Sequence, residues 1–403
     1  MGALPLSGFK VVDASSVLMG PYASQWLGDL GAEVVKVEAP SGDSTRQTGP
    51  STEPGMGAVV LGTNRNKKSV VLDLKQTGGQ DALHALLAQA DVFMHSIRPQ
   101  KLAAIGLDPG QVRLRHPRLV FATLHGFAQD GPYGGRPAYD DIIQGMSGIA
   151  DLSRLQGGEP QYLPTASADK TSGLIAAVAI LGALLARTRD GQGRQVEVPM
   201  FESMVSFNLV EHLFGMHFDP ALADPGYPRV TNPWRRPYQS ADGHVCLMPY
   251  TDAHWQRFFR ACARDDLAED PRFGSMAQRT RHIDALYAAL GQLVRQQPTQ
   301  HWLDLCERID IPAARVNALA DLPNDTHLAE TGFFQTVEDP SMGRVRLTGV
   351  PVLFDGQRPP VRLPPRLGEH TRSALLDASV RPAQIEDWLA TGAVVQAPSK
   401  DTA

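Results

Sequence analysis

Asp169 stands in the stretch "TASADKTSGLIAAVAILGALLA" (165–186), where Asp169 and Lys170 directly precede a run without a single charge. A carboxylate in that place has two physical uses. It can cap a helix, satisfying amide donors that have no intrahelical partner and complementing the helix dipole. It can also do chemistry, because the small neighbours Ala166, Ser167, Ala168, Ser172 and Gly173 let a substrate come close, and free N–H groups at a helix end can stabilise an oxyanion. A second group of reactive types is basic: "NRNKKS" (64–69), Lys75 just beyond it, and Arg98 in "SIRP". These are either solvated cations flanking a strand or a phosphate site, since anions favour the strand ends and helix N-termini of an open α/β sheet.

Several other chemistries are excluded. The first strand–helix loop, "ASSVLMGP" (14–21), has one glycine where a dinucleotide fingerprint needs three, so Glu38 in the ribose-acid position carries little weight. P-loop, HExxH and GxSxG patterns are absent. Cys246, Cys262 and Cys306 have no CxxC spacing and no histidine cluster, which predicts no metal site and three buried, reduced thiols. A net charge of -5 with scattered cations predicts neither a nucleic-acid partner nor a polybasic membrane anchor. The N-terminus lacks a signal-peptide pattern, and the uncharged run 171–186 is short for a bilayer. The expectation is a cytoplasmic protein whose partners are small molecules.

The elements that must position Asp169 follow from periodicity. "FKVVD", "GPYASQWLGDLG" and "AEVVKVE" read as strand, helix, strand, with Pro21 in the first helical turn and Gly31 just past its end. "SVVLDL" (69–74), "DVFMHS" (91–96), "RLVFATLHG" (118–126) and "RQVEVPM" extend the alternation, as in a doubly wound parallel sheet. Apolar or small residues on every face of 174–186 predict a helix buried all round. The proline-rich 218–237 reads as a linker into a second, α+β domain with a strand at "HVCLMPY" and helices near 254–264, 280–296 and 300–308. Short strands such as "GRVRLTGVPVLF" and a helix near 383–390 follow, and the tail "APSKDTA" is expected to fray. The expected division is a large α/β domain over 1–217, a linker and small domain over 218–330, and a C-terminal segment, 331–403, returning to the large domain.

Taken in order, "VVDASSVLMGPYASQWLGDLGAEVVKVEAPSGDSTR", "NRNKKSVVLDLK", "YDDIIQGMSG", "ASADKTSG", "GQGRQVEVPMFES", "IPAARV" and "LGEHT" resemble the class III CoA-transferases over nearly the whole chain. The resemblance implies a Rossmann-like large domain, an interlocked homodimer, and Asp169 as a nucleophile that passes through an acyl anhydride and an aspartyl-CoA thioester. A CoA thioester is then a co-substrate, with no permanently bound cofactor or metal. It implies CoA contacts at Leu72, Asp73, Leu74 and Lys75, at Ser96, Ile97 and Arg98, and along Arg136–Asp140, including Tyr139 and Asp140. Ala39 and Ala104 stand where several relatives place arginine, which leaves more of the phosphate contact to Lys75, Arg98 and Arg136. Leu18 replaces a glutamine of oxalate-specific relatives, and Arg235 or Arg236, next to Trp234 and Tyr238, is the candidate for a distal carboxylate of the acceptor. The α-methylacyl-CoA racemases share the fold but have a His-Asp pair where this chain reads Tyr139-Asp140; a phenol is a poor α-proton acceptor beside an imidazole, and His125 is either a substitute base or, as isolated histidines more often are, a structural residue. A non-catalytic acyl-CoA binder is the third alternative.

Overall fold

The structure is a computed structural model and describes residues 2–397, so the tail from Pro398 onward lies outside the described residues. Six parallel strands form the main sheet: β1 (Lys10–Ala14), β2 (Glu33–Glu38), β3 (Lys67–Leu72), β4 (Val92–His95), β5 (Val120–His125) and β6 (Gln195–Pro199), in the order β3-β2-β1-β4-β5-β6. Val11, Val12, Val34, Val35, Val70, Val71, Phe93 and Phe121 are all buried. Such continuous β-branched and aromatic runs, apolar on both faces, are what a parallel sheet covered on both sides requires. A short strand, Val394–Val395, adds to β3 antiparallel and brings the C-terminal segment back to this sheet.

The chain runs outward from β1 through β2 to β3, then returns to place β4 on the other side of β1. The strand order therefore reverses between β1 and β4, and ligands of open α/β sheets bind above the carboxyl ends of strands at such a switch point. The loops leaving β1 and β4, 15–18 and 96–98, lie there. Helix α1 (Met19–Asp29) follows the first loop, and α2 (Thr77–Leu87) follows β3. Three further helices matter to the site: α3 (Asp140–Met146), α4 (Ser167–Asp190) and α5 (Met200–His212). Helices α1 and α4 pack closely at Gly173, where a Cβ would come within 2.7 Å of the Met19 carbonyl oxygen.

Helix α4 is not buried all round, contrary to its composition. Ala176, Ala177, Ile180, Ala183 and Leu184 face the fold, but Val178 is 68% and Leu185 59% exposed, with Leu174 beside them. Gly173 sits where α1 presses on it, and Leu174, Val178 and Leu185 form a bare stripe away from the buried Ile180 and Leu184. By length and composition α4 could cross a bilayer, but ten of its residues, including Asp169 and Arg187, pack into the fold.

The described residues divide into two compact units, one of residues 2–147, 163–206 and 326–397, the other of 148–162 and 207–325. The second unit holds an antiparallel sheet of β7 (Tyr238–Gln239), β8 (His244–Leu247) and β9 (Ala313–Arg315) against helices Asp252–Ala261, Ile283–Val294 and Thr299–Arg308. Trp255, Phe258, Phe259, Leu286, Leu290 and Trp302 fill its core. The helix expected over 280–296 is broken at His282, whose backbone leaves the helical region between Met276–Arg281 and Ile283–Val294. In the first unit, β10 (Phe334–Asp339) and β11 (Gly343–Thr348) make a hairpin, and only its second strand was legible. The cysteines are all free, but Cys246 is exposed and Cys262 half-buried; only Cys306 is buried as expected.

Candidate active site

The basic stretch 64–69 is not a phosphate site. Strand β3 begins at Lys67, two residues before the apolar run, and draws the cations inside. Arg65 is buried against Asp29 at 2.6 Å, and Lys67 Nζ donates to the Pro21 carbonyl at 2.8 Å and lies 3.5 Å from Asp13. Lys68 pairs with Glu33 and Asp377. Glu38 is likewise committed, its two oxygens accepting from Arg46 at 2.7 Å each.

Two adjoining pockets open above the switch point, both in the first unit. One, of about 290 Å³, is lined by Leu72, Asp73, Leu74 and Lys75 from the end of β3, by Ala39, and by Ile97 and Ile105. The other, of about 250 Å³, holds Asp169 together with Ser96, Arg98, His125, Arg136 and Tyr139. Ser16 lines both. The carry-over of CoA positions thus separates by geometry: β3 residues and Ile97 on one side, the remainder beside Asp169 on the other. Lys75, Arg98 and Arg136 are exposed and have no carboxylate partner among the described residues; Arg136 rests over the Tyr133 ring at 4.7 Å. Exposed cations without a salt bridge, Lys75 on one pocket and Arg98 and Arg136 on the other, suit an anionic ligand that reaches both.

Asp169 is the third residue of α4, not a residue ahead of it. The helix N-cap is Ala166, with no side-chain capping bond, and the Asp169 carboxylate accepts no hydrogen bond among the described residues. The capping work belongs to Asp140, whose Oδ1 accepts the Asp169 backbone N–H at 3.0 Å. Its Oδ2 accepts from Gln144 Nε2 at 2.6 Å, and Gln144 in turn binds the Thr165 carbonyl and the Leu163 N–H. Asp140, carried over as a CoA contact, lines neither pocket and instead fixes the first turn of α4 from α3.

A buried carboxylate without a cation resists ionisation. Burial first, then the nearby Asp140 and Asp141, push the Asp169 carboxyl up from its ordinary value to about 7. Once ionised, the group is poorly solvated and unsatisfied, which suits attack on an electrophilic carbonyl. Met19, Leu124 and Met200 supply the apolar part of the same wall. Among the described residues no group of three or more His, Cys, Asp or Glu could hold a metal.

In the loop 15–18 sequence reasoning named only Leu18, whereas the pocket is lined by Ser16 and Val17. Val17 has φ +68°, a left-handed conformation that strains a β-branched residue. It is held by Asp43, which accepts the Val17 N–H at 3.1 Å, binds buried Lys36 at 2.9 Å, and caps the next turn by accepting the Thr45 N–H at 3.0 Å; Lys36 also donates to the Ser15 carbonyl at 3.0 Å. Nothing in a single sequence marks a valine for positive φ. Leu18 is the N-cap of α1 and lines neither pocket, although Val17 and Met19 on either side do. Arg235 and Arg236 are exposed in the second unit, with Arg236 over the Trp234 ring at 5.3 Å. Tyr139 is 67% exposed and begins α3 without capping it.

An aspartate buried without a cation partner sits at the switch point of a parallel α/β sheet, in a pocket that exposed Arg98 and Arg136 also line, and such an arrangement can serve group transfer from an anionic substrate. Comparison with known proteins narrows the class. CoA-transferase family III matches residues 6–371, and the chain belongs to that family. It is 33% identical to the probable fatty acyl-CoA transferase Rv3272 of Mycobacterium tuberculosis over 76% of this chain and 80% of that protein. It is 29% identical to the succinyl-CoA:glutarate CoA-transferase of Mus musculus over 98% of this chain and 92% of the relative. The orthorhombic crystal structure of Rv3272 superposes with a TM-score of 0.79 at 30% identity, covering 92% of this chain and 99% of that one. A CAIB/BAIF family protein from Brucella suis gives 0.77 at 30% identity, covering 94% and 100%.

Proposed function

We propose that this protein transfers CoA from an acyl-CoA donor, succinyl-CoA in the first instance, to a small carboxylic or dicarboxylic acid. The observation that carries this reading is the buried, unpaired Asp169 carboxylate inside a pocket that Arg98 and Arg136 also line, adjoining a second pocket lined by Lys75. Relatives bearing the names succinyl-CoA:glutarate, succinyl-CoA:mesaconate and succinyl-CoA–L-malate CoA-transferase support a dicarboxylate acceptor. Asp169 attacks the thioester carbonyl, the C–S bond breaks, and CoA leaves as thiolate with an aspartyl-acyl anhydride behind. The thiolate then attacks the aspartyl carbonyl and releases the first acid as carboxylate, leaving an aspartyl-CoA thioester. The acceptor carboxylate attacks that thioester to expel the thiolate again, and the thiolate attacks the acceptor's carbonyl in the new anhydride, regenerating Asp169. Each step exchanges one carboxylate for one thiolate, so no net proton transfer is required.

The uncovered stripe Leu174, Val178 and Leu185 on α4 supports a homodimer, as the resemblance implies with its interlocked chains, in a protein working in the cytoplasm. Incubation with succinyl-CoA and a panel of acids should yield new CoA esters in equal exchange for succinate, read by mass spectrometry. Solvent deuterium entering an α-methylacyl-CoA without exchange of acid would instead establish racemisation, and neither product would leave only a binder. Arg235 and Arg236 are the residues we assign to the acceptor's distal carboxylate; unchanged acceptor KM values in R235A, R236A and the double variant would remove them from that role.

A further inference from the structure

His125 ends β5 and lines the Asp169 pocket, where it invites assignment as a base. Its hydrogen bonding argues otherwise. Nε2 lies 3.1 Å from the Ile97 carbonyl oxygen, which can only accept, so Nε2 carries the proton. The other ring nitrogen, Nδ1, is buried without a partner and presents no lone pair to the pocket space. On the neighbouring strand, His95 at the end of β4 is fully buried and accepts the Ile97 N–H through Nδ1 at 3.2 Å. That fixes the His95 proton on Nε2, which is likewise buried and unpartnered. The two rings lie edge to face, centroids 5.9 Å apart. Their leftover nitrogens are one donor, His95 Nε2, and one acceptor, His125 Nδ1. Burial holds both imidazoles neutral, that of His95 down to about 3.

The Ile97 backbone is thus held at its N–H by one histidine and at its C=O by the other, which fixes the two successive peptide groups on either side of its Cα. One residue earlier, Ser96 Oγ accepts the Ser16 N–H at 3.2 Å. This short segment divides the two pockets: the Ile97 side chain lines one, Ser96 and Arg98 line the other. We propose that His125, acting with His95, is a positioning residue of the CoA-ester site: the pair holds the Ile97 peptide so that the carrier can span both pockets and bring its thioester to Asp169. The inference rests on the CoA-transfer reading. It assigns His125 no proton transfer with substrate.

The test separates donor and acceptor kinetics. His125→Leu removes the donor to the Ile97 carbonyl, and KM for the acyl-CoA should rise about tenfold, the effect of one lost hydrogen bond, with a much smaller change in kcat and in the acceptor KM. His125→Gln keeps an N–H donor at a similar reach and should restore most of the loss. Histidine-selective ¹⁵N NMR of the wild-type protein should find both rings as neutral Nε2–H tautomers, a readout that survives even if the leucine variant fails to fold. An Nδ1–H tautomer at His125, an unchanged acyl-CoA KM in H125L, or a loss confined to kcat would each overturn the proposal. Calorimetry with free CoA distinguishes the levels: no CoA binding by the wild type sinks the transfer reading itself, whereas equal binding by wild type and H125L sinks only the positioning role.

Discussion

Two buried aspartates, Asp13 and Asp169, occupy the same end of one sheet in opposite electrostatic company. Asp13, at the end of β1, is fully buried. Burial alone pushes its carboxyl up, but Lys67 and Lys36 and the hydroxyls of Ser15 and Ser24 overcome that, so it is held below its ordinary value. Asp169, 8% exposed, has no cation and no hydrogen-bond donor, and its nearest charges are carboxylates. The first is neutralised and belongs to the scaffold that holds the strained Val17 loop. The second is left incomplete, and the missing interactions are the ones a substrate supplies. A carboxylate buried with its partners stabilises a fold; one buried without them costs stability and gains reactivity.

Breaking the comparison at its reactive member has the largest expected effect. Asp169→Ala should lower kcat by at least about 10³-fold while the fold persists, measured by CoA exchange and circular dichroism. Removing the paired member acts on stability instead. Asp13→Asn leaves buried Lys67 without its carboxylate partner, while Lys36 keeps Asp43, and should cost about 3–5 kcal/mol in denaturant unfolding at neutral pH.

The two groups also carry opposite pH signatures. Because the Asp169 carboxyl lies above its ordinary value, the native state retains a proton between 3.8 and about 7 that the unfolded chain has released. Its stabilising contribution is complete below 3.8 and is lost as pH rises through about 7. Asp169→Asn should therefore stabilise the protein by roughly 2–4 kcal/mol at pH 8, with the gain vanishing in acid, as thermal unfolding against pH would read. Asp13, held low, behaves in reverse: its contribution is present above its ordinary value and disappears as pH falls through the depressed one.

The smallest effect sharpens the contrast. Activity should fall as pH drops through about 7, where Asp169 takes up its proton. Asp140→Asn removes the nearer like charge yet keeps an oxygen for the Asp169 N–H, so this acid limb should move to lower pH in a kcat/KM profile. An unmoved limb would mean that a group other than Asp169 controls it.

Much of this protein was legible in one dimension, because strand periodicity, turn residues and ordered motifs are local. The alternation from Phe9 to Pro199 reads as a parallel α/β sheet without reference to contacts, and the motif around Asp169 points to a covalent carboxylate. Composition misled at α4, because an all-apolar helix does not reveal which face has a covering partner. It misled again at 64–69, where two lysines and an arginine look like a surface cluster but Arg65 and Lys67 are drawn inside to meet Asp29 and Asp13. The cap-or-catalyst ambiguity at Asp169 was likewise beyond local reading, since the residue that caps is Asp140, twenty-nine positions away.

The sequence by itself determined the class of fold and the family, and singled out Asp169 as the candidate nucleophile, all of which depend on residue type and order. Only the tertiary structure decided which charges are neutralised and which are left bare. Burial, partner geometry and the direction of a pKa shift depend on distances between residues far apart in the chain. Asp13 and Asp169, alike as residues, differ by what folding places beside them.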